Sequence, residues 1–329
     1  MLRVGIYGLG AIGRLVARVA LKRGYEVVGA VDINPEIVGK DVGEVIGLGE
    51  KLGAPISRDL DALAEADVVV HATGSYLDKV YGQIASVLDM GIDVVSTCET
   101  LAYPYYRYPV LARRLDELAI SRGATVIGTG INPGFLLDTL AVVLAAPVTR
   151  AKRVVARRSL DAAKRRKPFQ AKIGVGEDPQ AVAEKLRKGE ITGHVGYAES
   201  VLLIADAAGV HLTRVEEAQA PVVAEAPVES AGVRVEAGRN LGIRGYGAGY
   251  VGESEVVRVE FSATVGGDEY EEVVVEGEDY TVRWRSSGTP GDLGTAAVVL
   301  SVAEAIGSYG PGLLTMADLV PFRIKLSVG

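Results

Sequence analysis

The chain has 329 residues and a formal net charge of −7, with 42 acidic side chains against 35 basic ones. This length exceeds what a single hydrophobic core usually serves, so two domains are expected. The acidic balance argues against nucleic acid or a membrane surface as a partner. The single cysteine, Cys98, excludes an intramolecular disulfide and a multi-cysteine metal cluster.

We expect neither a membrane span nor a leader segment in this chain. No apolar run approaches the roughly 18 residues that a span needs, and the first residues run directly into a predicted strand. A cytoplasmic location is therefore the default expectation. Only three asparagines and four glutamines occur, and this depletion of heat-labile amides predicts a heat-adapted source.

The first predicted elements form a strand, a glycine turn, a helix and a second strand. The turn after strand 3–7 reads Gly8-x-Gly10-x-x-Gly13, and an acidic residue, Asp32, ends the second strand about 20 residues later, as in dinucleotide-binding units. The glycines of this motif allow a tight turn, a close approach of the pyrophosphate and close helix packing. The alternative is a glycine turn in a cofactor-free α/β domain. The predicted cofactor contacts of the turn are Gly8, Gly10, Ala11, Ile12 and Gly13.

Asp32 bears on the choice of cofactor. Its carboxylate would bond the adenosine ribose hydroxyls of NAD and repel the additional phosphate of NADP. NAD is therefore favoured, although NADP stays possible because a loop elsewhere could supply an arginine. The alternative for Asp32 is a turn-forming role before Asn34-Pro35.

A continuous apolar strand is predicted at 67–72, and small residues follow it. Ligands of doubly wound sheets bind beyond the carboxyl ends of the strands, so Ala72, Thr73 and Gly74 are predicted cofactor contacts. His71, inside this strand, is interpreted as a buried core or interface histidine.

Glu99 follows the next predicted strand, 92–96, at the same edge of the sheet. A carboxylate there can exchange protons with a substrate. The alternative is a capping box over residues 96–99, in which Glu99 satisfies only backbone donors. Because no histidine lies near Cys98 in the sequence, Cys98 is interpreted as a small packing residue.

Asn132 lies in the exit of the following strand, 124–128. Its amide offers both a donor and an acceptor, which a nicotinamide carboxamide or a substrate amine could use. The alternative is an Asn-Pro-Gly turn at the start of a helix. The helix predicted at 136–145 would close the first domain.

A basic cluster within residues 149–172 begins the second domain. Arginines of this cluster could bind a substrate carboxylate or the cofactor pyrophosphate, and the alternative is a solvated loop or a subunit contact. His194, in a glycine-rich loop before a predicted helix, could contact the substrate or bond to backbone. The candidate substrate-binding residues are Arg157, Arg158, Arg165, Arg166 and His194.

Alternating apolar and polar residues dominate the later sequence and predict a largely antiparallel sheet with one solvent-exposed face. These runs are 211–223, 254–265, 269–275 and 280–285. A helix at 291–305 and a last strand at 322–326 complete the chain. The predicted fold class is α/β, with a dinucleotide-binding domain at 1–148, an α+β substrate and dimerisation domain at 149–287, and a C-terminal helix and strand at 288–329 packing back between the domains. A homodimer is expected from the exposed sheet face, and no metal-ligand cluster is found.

Several blocks in a fixed order resemble the 2,4-diaminopentanoate dehydrogenases and native amine dehydrogenases, distant relatives of dihydrodipicolinate reductase. The blocks are 38–44, 97–104, 128–135, 161–176, 193–200, 291–296 and 311–319. The paired histidines and lysine of dihydrodipicolinate reductase itself have no counterpart, because the corresponding positions read Arg157-Arg158-Ser159.

The resemblance implies reversible oxidative deamination, in which an amine and NAD(P) give a ketone, ammonia and NAD(P)H. It implies that Glu99 is the catalytic proton acceptor, that the Asn132 loop lines the nicotinamide, and that one of the four arginines binds a substrate carboxylate. The partners would be a small amine or ketone and ammonia. Two alternatives stay open, namely a reductase of a cyclic imine or semialdehyde and a non-catalytic NAD(H)-binding regulatory protein.

Overall fold

The computed structural model describes residues 1–327 and divides the chain into two compact units. The first unit contains Met1–Phe135 and Pro290–Leu319. The second contains Leu136–Thr289 and the segment from Val320 to the end of the described chain. The division thus falls at 135/136, earlier than the expected boundary at 148.

The helices and strands follow one another as β1 (Arg3–Tyr7), α1 (Ala11–Lys22), β2 (Glu26–Val31), α2 (Val42–Ile46), β3 (Ile56–Ser57), β4 (Val68–His71), α3 (Leu77–Asp89), β5 (Asp93–Ser96), α4 (Pro104–Arg107), α5 (Pro109–Arg122), β6 (Thr125–Gly128), α6 (Thr139–Ala145), β7 (Ala151–Asp161), α7 (Lys167–Lys172), α8 (Pro179–Lys188), α9 (Tyr197–Ala207), β8 (Arg214–Val223), β9 (Val228–Ser230), β10 (Val233–Val235), β11 (Asn240–Val251), β12 (Ser254–Thr264), β13 (Tyr270–Gly277), β14 (Thr281–Arg285), α10 (Gly291–Ile306), β15 (Gly312–Leu314) and α11 (Met316–Leu319). Short 3-10 turns cover Leu60–Leu63, Glu99–Leu101 and Ala162–Lys164.

The first unit is built on a seven-stranded parallel sheet in the order β15-β6-β5-β4-β1-β2-β3. β4 and β6 are buried along their whole length, as their continuous apolar sequences predict. The chain order reverses between β1 and β4, which is the point where doubly wound sheets bind dinucleotides. The predicted Rossmann-like α/β domain is confirmed, and it places the turns after β1, β4, β5 and β6 at one edge.

The second unit is built on a six-stranded mixed sheet in the order β14-β13-β7-β12-β11-β8. Only β7 and β12 pair in parallel, and the other four pairs are antiparallel. One face is packed under α6 and α9, and the other carries a concavity of about 970 Å³ lined by polar and charged side chains, including Arg244, Arg258 and Glu260. The largely antiparallel sheet with one solvent-exposed face matches the sequence-based prediction. The homodimer expected from that face stays a prediction.

One central strand of this sheet, β11, was absent from the predicted runs. Its sequence contains four glycines, and because glycine is uncommon inside strands, the sequence did not indicate a strand here. The structure shows why three of them are needed: a Cβ atom on Gly245 would lie 2.4 Å from the Tyr197 hydroxyl, one on Gly247 would lie 2.8 Å from the Tyr197 carbonyl oxygen, and one on Gly249 would lie 2.7 Å from Val201. The glycines therefore let α9 lie directly on the strand.

Two segments near the division differ from their predicted form. α6 begins at Thr139 rather than at 136, and it lies in the second unit, where it contacts β7, β13 and α9. The last predicted strand, 322–326, is reduced to a bridge between Leu326 and Ala151. Within the first unit, α10 packs against α1, β4 and β5.

Candidate active site

The glycine turn follows β1, and its glycines stand where side chains would collide. A Cβ atom on Gly13 would lie 2.0 Å from the Gly8 carbonyl oxygen. A Cβ atom on Gly8, whose φ is +93°, would lie 2.6 Å from Thr73 Cγ2. Gly13 therefore lets α1 begin against the turn, and Gly8 lets the turn close on the exit of β4.

The N-terminus of α1 is open to a ligand. No side chain caps the helix, and no acidic residue lies in its first turn. Gly10 and Ala11 are exposed, Ile12 is half-buried, and a Cβ atom on Gly10 would meet no atom within 4 Å. Because the first N–H groups of a helix lack intrahelical acceptors, this end of α1 can bind an anionic pyrophosphate.

Asp32 joins the glycine turn to the end of β2. Its Oδ2 accepts a hydrogen bond from the Leu9 N–H at 2.7 Å, and its Oδ1 accepts one from the Asn34 N–H at 2.8 Å. The second contact is the turn-forming role that the sequence left open. A carboxylate can accept about four hydrogen bonds, so two acceptor positions stay available for ribose hydroxyls.

Arg58 lies beside Asp32, although the sequence analysis did not single it out. It follows β3, and Ser57 of that strand pairs with Val31. Its Nη2 is 3.5 Å from the Ile33 carbonyl oxygen. The pairing of β2 with β3 brings this cation next to Asp32, the carboxylate predicted to bind the adenosine ribose. An arginine at such a position can accept the additional phosphate of NADP.

The exit of β4 lies beside the glycine turn that follows β1. The Ala72 N–H donates to the Tyr7 carbonyl oxygen at 2.8 Å, so this exit is held against β1. Thr73 is exposed, and Ala72 and Gly74 are half-buried. These three predicted contacts are therefore at least partly accessible beside the glycine turn, and their side chains are small.

His71 is a hydrogen-bonded core residue, as the sequence analysis favoured. Its Nδ1 lies 2.8 Å from Ser96 Oγ, and its Nε2 lies 2.8 Å from Thr73 Oγ1 and 2.9 Å from Gln83 Oε1. Burial lowers the pKa of His71 to about 4. The imidazole is therefore neutral at physiological pH and links the ends of β4 and β5.

The Glu99 carboxylate stands half-buried on a fixed turn after β5. The turn Glu99–Leu101 has Cys98 as its N-cap and no side-chain capping bond, so the capping-box alternative does not form. The Thr100 N–H donates to the Ser75 carbonyl oxygen at 3.1 Å, which anchors the backbone. Within residues 1–327, no hydrogen bond or ion pair engages the Glu99 carboxylate. A carboxylate that has a fixed position and no partner can accept a proton from a substrate.

Cys98 is a packing residue, as its sequence context predicted. Its side chain is fully buried. Burial, followed by the negative charge of Glu99, raises the pKa of the Cys98 thiol to about 12. The thiol is therefore protonated at physiological pH and unsuited to nucleophilic catalysis.

The loop after β6 contains Asn132, whose side-chain amide has no hydrogen-bond partner among the described residues. The Asn132–Pro133 peptide bond is cis, and the Ile131 N–H donates to Thr295 Oγ1 at 3.4 Å, so the start of α10 supports the loop. Both polar atoms of the Asn132 side chain are buried, and neither has a hydrogen-bond partner in the described part of the chain. The turn interpretation accounts for the backbone but leaves the amide unexplained.

The first unit fits a nicotinamide dinucleotide at three places. The open end of α1 suits the pyrophosphate, and the remaining acceptor positions of Asp32 suit a ribose. The orphaned amide of Asn132 suits a group with both a donor and an acceptor, such as a carboxamide. All three follow strands whose carboxyl ends lie at one edge of the sheet.

Two candidate arginines of the basic cluster, Arg157 and Arg158, lie in a strand, and the other candidates lie outside it. β7 extends to Asp161, so Arg157 and Arg158 are successive strand residues and point to opposite faces of the sheet. Arg157 makes ion pairs with Glu260 at 2.8 Å and Glu272 at 3.1 Å. Arg158 is 4% exposed and pairs with the buried Glu271 at 3.2 Å. Carboxylates of the chain thus neutralise both arginines.

Arg165, Arg166 and His194 lie outside the strands. Arg165 stacks its guanidinium 5.2 Å from the centroid of the Phe169 ring, and Arg166 is exposed at the N-cap of α7. The His194 ring stacks on Phe261 with centroids 4.4 Å apart. Its backbone N–H donates to the side chain of Gln219 at 3.0 Å. No hydrogen bond joins the ring to backbone among residues 1–327, so the ring stays a candidate substrate contact.

Lys172, the last residue of α7, is a further cation that the sequence analysis passed over. Its carbonyl oxygen accepts a hydrogen bond from the Gly193 N–H at 3.1 Å, which brings it beside the His194 loop. The sequence offers no sign of this contact, because the two residues belong to different predicted elements.

No helix between residues 1 and 327 is both long enough and apolar enough to cross a membrane. The same residues contain no group of three or more His, Cys, Asp or Glu side chains placed to hold a metal ion.

Two family models match the chain in sequence. The first, dihydrodipicolinate reductase N-terminus, matches residues 2–98. The second, 2,4-diaminopentanoate dehydrogenase C-terminal domain, matches residues 135–326, which is more than half of the chain. The matches cover both units and confirm the resemblance drawn from the sequence blocks.

Individual relatives support the same grouping. A 2,4-diaminopentanoate dehydrogenase from Acetoanaerobium sticklandii is 30% identical over 96% of this chain and 93% of its own length. An amine dehydrogenase from Streptomyces virginiae is 29% identical over 44% of this chain and 42% of its own. The solved structure of an amine dehydrogenase from Mycobacterium smegmatis superposes with a TM-score of 0.85 and 26% identity, covering 98% of this chain and 97% of that one. The chain therefore belongs to the 2,4-diaminopentanoate dehydrogenase family of NAD(P)-dependent oxidoreductases.

Proposed function

We propose that this chain catalyses the reversible oxidative deamination of an amine or diamino acid to a ketone and ammonia. The observation that carries the proposal is the unengaged, half-buried Glu99 carboxylate at the cofactor edge of the parallel sheet. The relative from Acetoanaerobium sticklandii, named for 2,4-diaminopentanoate, supports a diamino acid of similar size as substrate.

In the direction of amination, a ketone, an ammonium ion, NADH and a proton give a protonated amine, NAD and water. Glu99 accepts a proton from the ammonium ion, which frees the nitrogen lone pair to attack the carbonyl carbon. Glu99 then returns a proton to the hydroxyl of the carbinolamine, so that water leaves and an iminium forms. The ionised carboxylate stabilises the positive charge of this iminium.

The first unit supplies the cofactor contacts. When bound, NADH supplies the hydride that reduces the iminium. The turn residues Gly8 to Gly13 and the exit residues Ala72 to Gly74 would hold its phosphates and ribose, and the Asn132 amide would bond the carboxamide. Asp32 favours NAD, and the neighbouring Arg58 makes use of NADP as a second cofactor feasible.

The test uses purified protein with NADH, ammonium and a panel of 4-oxo acids and simple ketones. We expect a loss of NADH absorbance that requires ammonium. Glu99→Gln should reduce turnover by about 100-fold or more, since removal of a general base typically costs that much. A fluorescence titration should show NADH affinity unchanged, because the substitution leaves the glycine turn and Asp32 intact.

Glu117→Gln is the matched control, because Glu117 is exposed on α5 and is not one of the predicted cofactor or substrate contacts. It should keep wild-type turnover. Turnover that does not require ammonium would instead identify a reductase of a cyclic imine or semialdehyde. NADH binding without any turnover in wild type would identify a regulatory protein and overturn the proposal.

A further inference from the structure

The six-stranded sheet of the second unit has α6 and α9 on one face, and its other face, here called the open face, carries the concavity of about 970 Å³. Cβ atoms on Gly245, Gly247 and Gly249 of β11 would point at α9, so the residues between these glycines point to the open face. Paired residues of neighbouring strands share a face, and the strand register therefore assigns the open face row by row. The middle row runs from β11 to β14 through Tyr246, Glu260, Arg157, Glu272 and Arg285.

The open face has the composition and the area of a protein–protein interface. Three of its arginines stack on tyrosine rings at 4.0–4.4 Å from the ring centroids, namely Arg214 on Tyr250, Arg258 on Tyr246 and Arg285 on Tyr270. Tyrosine and arginine are enriched where protein surfaces bind each other. Six strands about 4.8 Å apart and about nine residues long give a face of roughly 800 Å², which is the area that a stable complex usually buries on each partner.

A midline divides this sheet into two halves of three strands. It runs between β12 and β7, which are parallel neighbours, with β11 and β8 on one side and β13 and β14 on the other. A two-fold axis that runs parallel to the strands above this midline lays a second copy face to face on the first. In that arrangement β12 faces β7 of the other copy, β11 faces β13, β8 faces β14, and each row faces the same row.

In the middle row, this axis brings opposite charges together at the centre of the contact. Glu260 of one copy faces Arg157 of the other, and the two-fold symmetry repeats the contact. Within each copy, Arg157 Nε already binds Glu260 at 2.8 Å, so the four side chains form one cluster of alternating charge. Tyr246 faces Glu272, whose carboxylate can accept a hydrogen bond from the tyrosine hydroxyl.

The flanking row nearer Arg258 is complementary as well. Glu216 at one end of this row faces Arg283 at the other end. Arg258 faces Val155, and its charge is already matched within its own copy, where Nε binds Glu260 at 2.6 Å. Opposite charges therefore meet near the margin of the contact and at its centre.

The flanking row on the other side contains an arginine without a counter-ion. Arg244 is exposed, and no carboxylate pairs with it among residues 1–327. The two-fold axis places it opposite Tyr270 of the second copy, which supplies a ring for a cation–π contact. Ser262 faces Ser159 in the same row, so two hydroxyl groups that can both donate and accept meet there.

A two-fold axis that ran across the strands, along the middle row, would give the opposite result. Each residue of that row would then face its own counterpart, so that Glu260 would meet Glu260 and Arg157 would meet Arg157. Contacts between like charges disfavour association. The charge pattern thus selects the axis that runs along the strands.

We propose that two copies of this chain associate through their open faces, about a two-fold axis that runs between β7 and β12. The proposal gives the expected homodimer an interface and an orientation. It does not depend on the proposed function, because every residue that carries it lies on the open face and none takes part in the reaction steps assigned to Glu99.

The test measures the dimer dissociation constant by sedimentation velocity of the full chain over a range of concentrations. Wild type should be a dimer at micromolar concentration. Arg283→Glu places a carboxylate opposite Glu216 twice in each dimer, and it should raise the dissociation constant by about tenfold or more. The effect should shrink in about 0.5 M salt, which screens exposed charges. The Arg283 side chain is 67% exposed, so we expect this variant to fold, and circular dichroism checks that it does.

A charge exchange tests the orientation. Glu216→Arg alone should weaken the dimer by a similar factor, since it places an arginine opposite Arg283. Glu216→Arg combined with Arg283→Glu restores opposite charges and should return the dissociation constant to within about threefold of wild type. Arg187→Glu makes the same change of charge as Arg283→Glu on α8, outside the sheet, and should leave the dimer intact.

Three outcomes would contradict the proposal. A monomeric wild type would mean that the open face does not bind a second copy. A dimer that is insensitive to both single variants would mean that another surface joins the copies. Two weakened single variants without recovery in the combined variant would overturn the two-fold axis between β7 and β12.

Discussion

At the scale of single residues, Asn240 and Asn132 show what a hydrogen-bonded and an unsatisfied buried amide group imply. The Nδ2 of Asn240 donates to the Ile173 and Gly174 carbonyl oxygens, and its Oδ1 accepts from the Val222 and Gly242 N–H groups. Asn132 has buried polar atoms with no such partners. An unpartnered buried amide costs free energy in the cofactor-free protein. We interpret this cost as the consequence of keeping the amide ready for a ligand.

Replacing each amide by leucine should therefore have opposite effects. Asn132→Leu should raise the free energy of unfolding of the cofactor-free protein by about 1 kcal/mol and weaken NADH binding about tenfold. Asn240→Leu should lower the free energy of unfolding by about 3 kcal/mol or more, because it strands four backbone groups, and leave NADH affinity unchanged. Urea unfolding and NADH fluorescence measure both. A destabilised Asn132→Leu that binds NADH normally would mark the amide as structural.

At the scale of elements, β7 and β11 decide how the second unit is used. The strand period of two sends Arg157 and Arg158 to opposite faces. The glycines of β11 bring α9 against the sheet, with Tyr197 lying over Gly245 and Gly247. Because Tyr197 in turn contacts the His194 ring, the glycines of a strand that the sequence pattern missed help to position a candidate substrate residue.

Gly247→Ala tests this contact between α9 and β11. Its Cβ would lie 2.8 Å from the Tyr197 carbonyl oxygen, so the helix must shift, and we expect the free energy of unfolding to fall by about 2–3 kcal/mol. Gly82→Ala, within α3 where a Cβ meets no atom within 4 Å, should instead stabilise by about 0.5–1 kcal/mol. Chemical denaturation of both variants measures the difference. Equal effects would show that α9 tolerates a methyl group beneath it.

At the scale of the whole molecule, each unit contains one histidine that folding keeps neutral. Burial lowers the pKa of His71 to about 4 in the first unit, and burial with nearby cations lowers that of His194 to about 3 in the second. The unfolded chain protonates these histidines below about pH 6.5. The unfolded state therefore binds more protons than the folded state in acid, and stability falls as the pH drops below 6.5.

We expect the free energy of unfolding to decrease by about 1–2 kcal/mol for His71 alone between pH 7 and pH 5. His71→Gln should flatten this part of the pH profile, even if it lowers stability at neutral pH by loss of the Ser96 contact. His211→Gln, at an exposed position, is the control and should keep the wild-type slope. Urea titrations at successive pH values measure these slopes, and an unchanged slope in His71→Gln would contradict the linkage.

Much of the first unit could be predicted because its signals are local. The glycine turn, the helix after it and the acid that ends β2 lie within the first 32 residues, and the apolar strands 67–72 and 124–128 are continuous. The missed or altered features have a different origin. β11 is disfavoured by its own glycines, α6 is shortened, and Arg58 and Lys172 acquire significance only through strand pairing or a loop contact.

The sequence by itself determined the dinucleotide-binding sheet, the edge at which Glu99 and Asn132 emerge, and the family to which the blocks point. Periodicity and turn chemistry encode these within short stretches of chain. Tertiary structure alone decided which cations are paired with carboxylates and which buried polar groups are left without a hydrogen-bond partner. Arg157 meets Glu260 across 103 residues of sequence, and charge partners at such separations are set by strand register, which no local pattern contains.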